Sequence, residues 1–141
     1  MDTTPLPLTD TEFAQLELTV PDDGSGHAVQ RRAEALAHIF LARMHAEPKF
    51  VRPPRGADIA VSQGGGIITY EIKGTRDTEL AWQKLKVSST HSHGILIAGT
   101  PILRITGVFR QIPIIHTMHH GVDFTLLVEP RWSVHSTDGQ A

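Results

Sequence analysis

Two acids and a lysine flank a glycine-rich segment near the middle of the 141-residue chain. Asp58 lies near the start of one β-rich run, and Glu71 and Lys73 lie near the end of the next. Residues 63–66, three of which are glycines, connect the two runs. Two β-rich runs joined in this way predict a β-hairpin.

The register of this hairpin decides whether the three side chains can meet. If the turn centres on Gly64 and Gly65, with a loop of either two or four residues, Asp58 lies opposite Glu71. Side chains alternate along a strand, so Asp58, Glu71 and Lys73 then share one face. The opposite face is apolar and consists of Ile59, Val61, Ile68, Tyr70 and Ile72. A slip of one residue would break both groupings, so the pattern supports this register.

Two carboxylates on directly opposed strand positions repel each other unless a cation or a proton relieves them. Mg²⁺ suits this place because it is a hard ion that takes oxygen ligands and keeps several waters. An ion held there can polarise a phosphodiester and lower the pKa of water, and Lys73 would orient that water. The alternative is a structural ion pair between Lys73 and Asp58 or Glu71, worth at most about 1 kcal/mol if exposed.

Asp58, the glycine-rich turn and the segment Glu71-Ile72-Lys73-Gly74-Thr75 together resemble the active-site hairpin of the PD-(D/E)xK nuclease superfamily. In local form they are similar to small domains of the type found at the C-terminus of the plant protein NO VEIN. The resemblance covers residues 25–98 well and the remainder weakly. It implies an α/β (α+β) protein with the restriction-endonuclease-like fold, a central mixed β-sheet flanked by helices in which an N-terminal helix precedes the catalytic β-hairpin.

The resemblance also assigns roles to individual residues. It implies that Asp58 and Glu71 bind Mg²⁺ or Mn²⁺ together with the Ile72 carbonyl, and that Lys73 is the catalytic lysine. Glu34, on the helix predicted before the hairpin, matches the place of a further acid in that family. The family's name-giving proline is absent before Asp58, which weakens the recognition more than it weakens the chemistry.

A helix from His27 to about Ala46 is the most regular element that could position these residues. Its apolar positions recur at steps of three and four: Val29, Ala33, Leu36, Phe40 and Met44. Ser25 is a suitable N-cap, and Pro48 prevents much continuation. Residues 13–20 fit either a strand or a short helix, and residues 77–87 are equally ambiguous. Further strands are predicted over residues 95–98, 102–109, 112–116 and 124–128.

The charges are unevenly distributed along the chain, whose formal net charge is −2. Residues 1–23 contain six acids and no Lys or Arg, which predicts an acidic leader outside a single domain over residues 24–135, followed by a tail over 136–141. Beyond the leader, 13 bases oppose nine acids, a net charge of +4. The total charge therefore does not exclude a phosphodiester substrate, although +4 is too modest to prove one.

Several basic residues follow or precede the hairpin and are expected to bind the phosphates of a substrate. They are Arg55, Arg76, Lys84, Lys86 and His91. Trp82 could stack on a base or serve as a buried anchor. His116 with His119 or His120 could hold Zn²⁺ if that segment were helical, although the apolar residues before it favour a strand.

The remaining composition limits the environment and the class of protein. Without cysteine the chain has no disulfides or thiolate metal sites, which fits a cytoplasmic or other intracellular location. No apolar run approaches the roughly 18–20 residues of a membrane span. The expected function is that of a metal-dependent nuclease that hydrolyses DNA phosphodiester bonds, with a homodimer supplying a second site for a duplex cut. The alternative is an inactive nuclease-like scaffold that binds nucleic acid or protein, and a histidine-based zinc protein is a third.

Overall fold

The computed structural model describes residues 1–80, 86–87, 90–127 and 132–136, the side chains of 86–87, 90, 127 and 132–136 excepted. The elements are β1 (Asp2–Pro5), α1 (Asp10–Thr19), α2 (Gly26–Met44), β2 (Lys49–Val51), β3 (Ile59–Gln63), β4 (Gly66–Gly74), β5 (Lys86–Val87), α3 (Thr90–Ile97), β6 (Ile102–Thr106), β7 (Ile114–Met118), β8 (Phe124–Leu127) and β9 (Trp132–Ser136). A six-stranded sheet has the order β1-β7-β6-β4-β3-β2, and a three-stranded sheet has the order β5-β9-β8. The expected α+β class with a central mixed sheet and flanking helices is confirmed.

Among the described strands of the large sheet only one pairing is parallel, and it involves β4, the strand that carries Glu71. Strands β4 and β6 run parallel, whereas the other neighbouring strands are antiparallel. The chain between them includes helix α3, as a parallel connection requires. The segment over residues 95–98 was predicted as a strand, and this prediction is wrong because α3 continues to Ile97. A short apolar run cannot by itself distinguish a buried strand from a buried helix.

The predicted hairpin forms in the predicted register. Ile59 lies opposite Tyr70, and Val61 lies opposite Ile68. Of the two loop lengths considered, the two-residue loop is the one formed, with positive φ at both Gly64 (61°) and Gly65 (84°). Positive φ at both central positions is the requirement of a type I′ turn, which matches the twist of the paired strands.

The apolar face of the hairpin is buried in the main core, with one exception. Ile59, Val61, Tyr70 and Ile72 are buried, whereas Ile68, close to the turn, is 39% exposed. On the opposite face of the sheet a second apolar cluster contains Leu96, Ile102, Met118 and Phe124. The second cluster covers the face on which Glu71 lies, because Ile102 is the register partner of Glu71.

Helix α2 agrees with the sequence prediction and packs unusually close to strand β4. Ser25 is its N-cap, and the Ser25 side chain accepts a hydrogen bond from the backbone N–H of Ala28 at 3.0 Å. At Gly74 an added Cβ would lie 2.5 Å from the Cβ of Ala33, so only glycine allows this approach. The contact between Gly74 and Ala33 therefore fixes the distance between α2 and the end of β4.

The N-terminal segment is part of the domain, so the prediction of a separate leader over residues 1–23 is wrong. Strand β1 pairs antiparallel with β7 at the sheet edge. Leu6, Leu8 and Leu16 are buried in the main core, and this burial favours docking of the segment. Helix α1 resolves the ambiguity over residues 13–20, since a capping box between Thr9 and Glu12 starts it.

Acids of this segment also pair with bases of the rest of the chain. Glu17 contacts Arg32 at 3.0 Å, Glu12 contacts Arg43 at 2.6 Å and Asp22 contacts Arg76 at 2.7 Å. The separation of an acidic leader from a domain of charge +4 therefore does not describe the folded protein. No helix in the described part of the chain is both long enough and apolar enough to cross a membrane.

Candidate active site

The two strands of the hairpin separate at Asp58, so the backbone of Ile72 has no paired strand residue on the β3 side. The Asp58 N–H donates to the Tyr70 carbonyl at 2.9 Å, which is the last backbone contact before the strands separate. Glu71 donates to the Pro101 carbonyl on the β6 side, so alternation turns the N–H and C=O of Ile72 toward the β3 side. The Ile72 N–H donates to Oδ2 of Asp58 at 2.8 Å. Asp58 is thereby held beside Glu71.

Glu71 is a buried acid with an unsatisfied oxygen. Its side chain is only 6% exposed, and Oε2 has no hydrogen-bond partner in the described structure. Oε1 lies 3.6 Å from Nζ of Lys73, whose side chain is 24% exposed. Burial, followed by repulsion from the Asp58 carboxylate, raises the pKa of Glu71 to about 8, and the attraction of Lys73 offsets only part of this rise.

Glu34 is linked to the site by Gln30, a residue that the sequence analysis missed. Nε2 of Gln30 donates to Oε1 of Glu34 at 3.1 Å and to the Ile72 carbonyl at 3.2 Å. Gln30 and Glu34 are four residues apart, so they lie on the same face of α2. This spacing is visible in the sequence, but the contact with Ile72 depends on the tertiary packing of α2 against β4.

The donor groups fit a divalent ion that prefers oxygen ligands. Asp58 and Glu71 lie side by side at the open end of the hairpin, next to the backbone of Ile72, and Oε2 of Glu71 is a buried acceptor without a hydrogen-bond partner in the described structure. Within the described residues no three His, Cys, Asp or Glu side chains form a metal-binding group. Two carboxylates with a carbonyl suit Mg²⁺, which usually keeps several waters, better than Zn²⁺.

Two of the predicted substrate-binding residues lie in the loop before Asp58 and in the helix that contacts this loop. Arg55 is exposed in the loop that leads to Asp58, and His91 is exposed in the first turn of α3. Gly56 joins the two elements, because an added Cβ there would lie 2.7 Å from the His91 carbonyl carbon. Oγ of Ser92 also donates to the Gly56 carbonyl at 3.0 Å. The start of α3 therefore braces the loop that carries Asp58.

Arg76, predicted as a phosphate contact, lies at the surface and is paired with Asp22. Its guanidinium donates to both carboxylate oxygens of Asp22, at 2.7 and 3.1 Å, and to the Ser25 carbonyl at 3.0 Å. The guanidinium carbon also lies 5.4 Å from the centre of the Phe109 ring. The hydrogen bonds that Arg76 donates to Asp22 raise the pKa of Arg76 above its ordinary value. Lys84, Trp82 and the side chain of Lys86 lie outside the described residues.

Arg104 is a second cation near the site that the sequence analysis missed. It is the register partner of Lys73 on the neighbouring strand β6, and its Nη1 donates to the Gly74 carbonyl at 3.1 Å. Burial lowers the pKa of Arg104 to about 10, a value at which it still carries its charge at neutral pH. Its position inside an apolar strand gave no signal that it would adjoin Lys73.

The histidines do not form the zinc site that was considered. His116 lies on strand β7, so the helical spacing required of His116 and His119 or His120 does not exist. The two ring nitrogens of His116 instead contact the hydroxyl groups of Thr3 and Thr106, at 3.3 and 3.2 Å. These are structural contacts between neighbouring strands.

Comparison of the chain with protein-family models, with curated proteins and with solved structures gave no significant match. Any assignment of function therefore depends on the residues described above. Chemically, they form a pair of neighbouring carboxyl groups of which Glu71 is buried, a backbone carbonyl that accepts from Gln30, and an ammonium group at one end of a β-hairpin. This arrangement can bind an oxygen-seeking cation and stabilise negative charge beside it.

Proposed function

We propose that this protein is a metal-dependent nuclease of the restriction-endonuclease-like fold that hydrolyses DNA phosphodiester bonds. The observation that carries the proposal is the buried Glu71 carboxyl, which has an unsatisfied Oε2 and lies beside Asp58. A structural acid would be expected to have its hydrogen bonds satisfied when buried. A buried acid beside a second acid, with its repulsion only partly offset by a lysine, is instead typical of a site that binds a ligand.

Each residue of the site has a definite role in this proposal. Asp58, Glu71 and the Ile72 carbonyl hold Mg²⁺ or Mn²⁺, which when bound supplies Lewis acidity and lowers the pKa of water. The Lys73 ammonium group stabilises the charge that develops on the phosphoryl oxygens and positions the attacking water. Glu34 accepts a hydrogen bond or a proton at the helix side of the site. Arg55 and His91 bind the phosphates that flank the cleaved bond.

Cleavage tests the proposal with the full-length chain. Supercoiled plasmid and branched DNA are incubated with protein and Mg²⁺ or Mn²⁺, and nicked and linear products are measured. Lys73→Ala should lower the cleavage rate by about 100-fold or more, because the removed charge acts on the transition state. Lys49→Ala is the matched control, since Lys49 is an exposed lysine on the edge strand β2. Thermal unfolding of both variants checks that they are folded.

Wild-type protein that leaves these DNA substrates and RNA intact with both ions would contradict the proposal. The second candidate, a nuclease-like scaffold that binds without cutting, would then be favoured. Binding to labelled DNA without cleavage would be its signature. A homodimer with two sites would appear as concerted cleavage of both strands of a duplex.

A further inference from the structure

We infer that Gln30 is a positioning residue of the metal site, which holds the Ile72 carbonyl and Glu34 in place for the bound ion. The inference rests on the proposed function, and it assigns a role to a residue that neither composition nor motif had singled out. Gln30 contacts a proposed metal ligand on one side and the proposed auxiliary acid on the other.

The first step of the argument is that the Ile72 carbonyl lies outside the backbone ladder. Strand β3 begins at Ile59, so no strand residue faces Ile72 on that side. The Ile72 N–H is taken by the Asp58 carboxylate at 2.8 Å, and the carbonyl is taken by the Gln30 amide at 3.2 Å. The side chains of Asp58 and Gln30 thus replace the partner strand at Ile72, whose carbonyl is a proposed metal ligand.

The second step concerns the capacity of each group. A carbonyl oxygen has two lone pairs, so the bond from Gln30 fixes the direction of the carbonyl and leaves one lone pair for a cation. The amide nitrogen of Gln30 has two hydrogens, and its second acceptor is Oε1 of Glu34 at 3.1 Å. Both of its donors are therefore used to orient groups of the site.

The third step is that the helix bringing Gln30 to the site cannot shift freely. Gly74 permits the close approach of Ala33, one turn after Gln30, to the end of β4. The position of Gln30 relative to Ile72 is therefore fixed by the backbone packing of α2 on β4. Hydrogen-bond partners behind metal ligands commonly change metal affinity by about 10–100-fold when they are removed.

The chain provides a closely matched control for this inference. Nε2 of Gln111 also bridges a backbone carbonyl and a carboxylate, namely Leu8 at 3.3 Å and Asp10 at 2.8 Å. Gln111 lies near the N-terminal segment, away from the hairpin. Gln30→Met and Gln111→Met each remove an amide that donates two hydrogen bonds, and each keeps a similar side-chain volume. They differ chiefly in the acceptors that lose a donor: the Ile72 carbonyl and Glu34 in the first variant, and the Leu8 carbonyl and Asp10 in the second.

The test measures Mn²⁺ binding to the full-length protein by electron paramagnetic resonance, with thermal unfolding in EDTA recorded in parallel. We expect Gln30→Met to raise the Kd for Mn²⁺ by about 10-fold and Gln111→Met to leave it unchanged. The ¹³C chemical shift of the Ile72 carbonyl in metal-free protein should also move only in Gln30→Met. In cleavage assays, Gln30→Met should need more Mg²⁺ for half-maximal rate while it retains most of the rate at saturating Mg²⁺.

The outcomes separate this inference from the function on which it rests. Equal or tighter Mn²⁺ binding by Gln30→Met, with binding by the wild type intact, would overturn the role of Gln30 alone. An equal loss of affinity in Gln111→Met would show a general stability effect and would overturn it as well. If the wild type binds no Mn²⁺, the metal site of the proposed function fails, and the role of Gln30 fails with it.

Discussion

At the scale of single residues, burial of the Glu71 carboxyl lowers the stability of the fold, and the same carboxyl is a proposed metal ligand. The chain buries its carboxyl beside another acid and leaves one oxygen unsatisfied. Lys73 reduces the resulting repulsion but does not remove it. The consequence is that the metal-free protein should be strained electrostatically at this position, and that the strain should depend on pH.

The pH dependence of stability follows from the direction of the Glu71 pKa shift. Folding raises this pKa from 4.5 to about 8, so the folded protein binds more protons than the unfolded chain between these values. The contribution of Glu71 is therefore fully favourable below pH 4.5 and is lost as the pH rises toward 8. Glu71→Gln should remove this loss and be more stable than the wild type at pH 8 by on the order of 2 kcal/mol.

Urea denaturation in EDTA at several pH values measures this effect. Glu79→Gln, at an exposed position, is the control and should follow the wild type. Added Mn²⁺ should stabilise the wild type at pH 8 and should not stabilise Glu71→Gln to the same extent. A Glu71→Gln variant that is less stable than the wild type at pH 8 would show that the carboxylate is already compensated.

At the scale of elements, the hairpin and helix α2 were predictable because their apolar positions follow a single period over many residues. The same reasoning failed for residues 95–98, where four apolar or small residues are too few to distinguish a strand from helix α3. It identified Asp58, Glu71 and Lys73, which are close in sequence along one hairpin. It missed Gln30 and Arg104, because each reaches the site only through packing between distant elements.

The contact between α2 and β4 leads to a prediction about the site. Gly74→Ala would place a Cβ 2.5 Å from that of Ala33 and should push the helix away from the strand. We expect a loss of stability of about 1–3 kcal/mol from this overpacking, together with weaker Mn²⁺ binding because Gln30 withdraws from Ile72.

Gly26→Ala is the matched control, since nothing lies within 4 Å of an added Cβ at the start of the same helix. Chemical denaturation and Mn²⁺ titration of both variants provide the measurements. If Gly74→Ala binds Mn²⁺ with the affinity of the wild type although it is destabilised, then helix position and metal affinity are not coupled.

At the scale of the whole molecule, the acidic N-terminal segment is a packed part of the structure. The error in the sequence analysis was to treat a run of acids as a solvated extension, although its leucines reach the core and its acids reach specific arginines. Arg32 shows this most clearly, because its guanidinium is buried between Glu17 and the carbonyls of Val20 and Val108. Charge counted along a chain does not reveal which charges are paired in the fold.

The pairing of Asp22 with Arg76 predicts how the protein's affinity for DNA can be changed. Asp22→Asn should release Arg76, strengthen DNA binding at low salt by about threefold to tenfold, and steepen its salt dependence by about one released counterion. Asp10→Asn removes the same charge from a residue that contacts Gln111, so it is the control. Fluorescence anisotropy over a range of salt concentrations, in EDTA, measures both. Identical salt slopes for the two variants would mean that Arg76 does not face the bound DNA.

The position of strand β1 at the edge of the sheet has a consequence for the order in which the protein folds during synthesis. Thr3 pairs with His116, so β1 cannot join the sheet until a residue 113 positions further along the chain has been synthesised. The hairpin that carries Asp58, Glu71 and Lys73 needs only a local turn and can form well before that. On a growing chain the acidic residues of the site would therefore meet before strand β1 is added at the edge of the sheet.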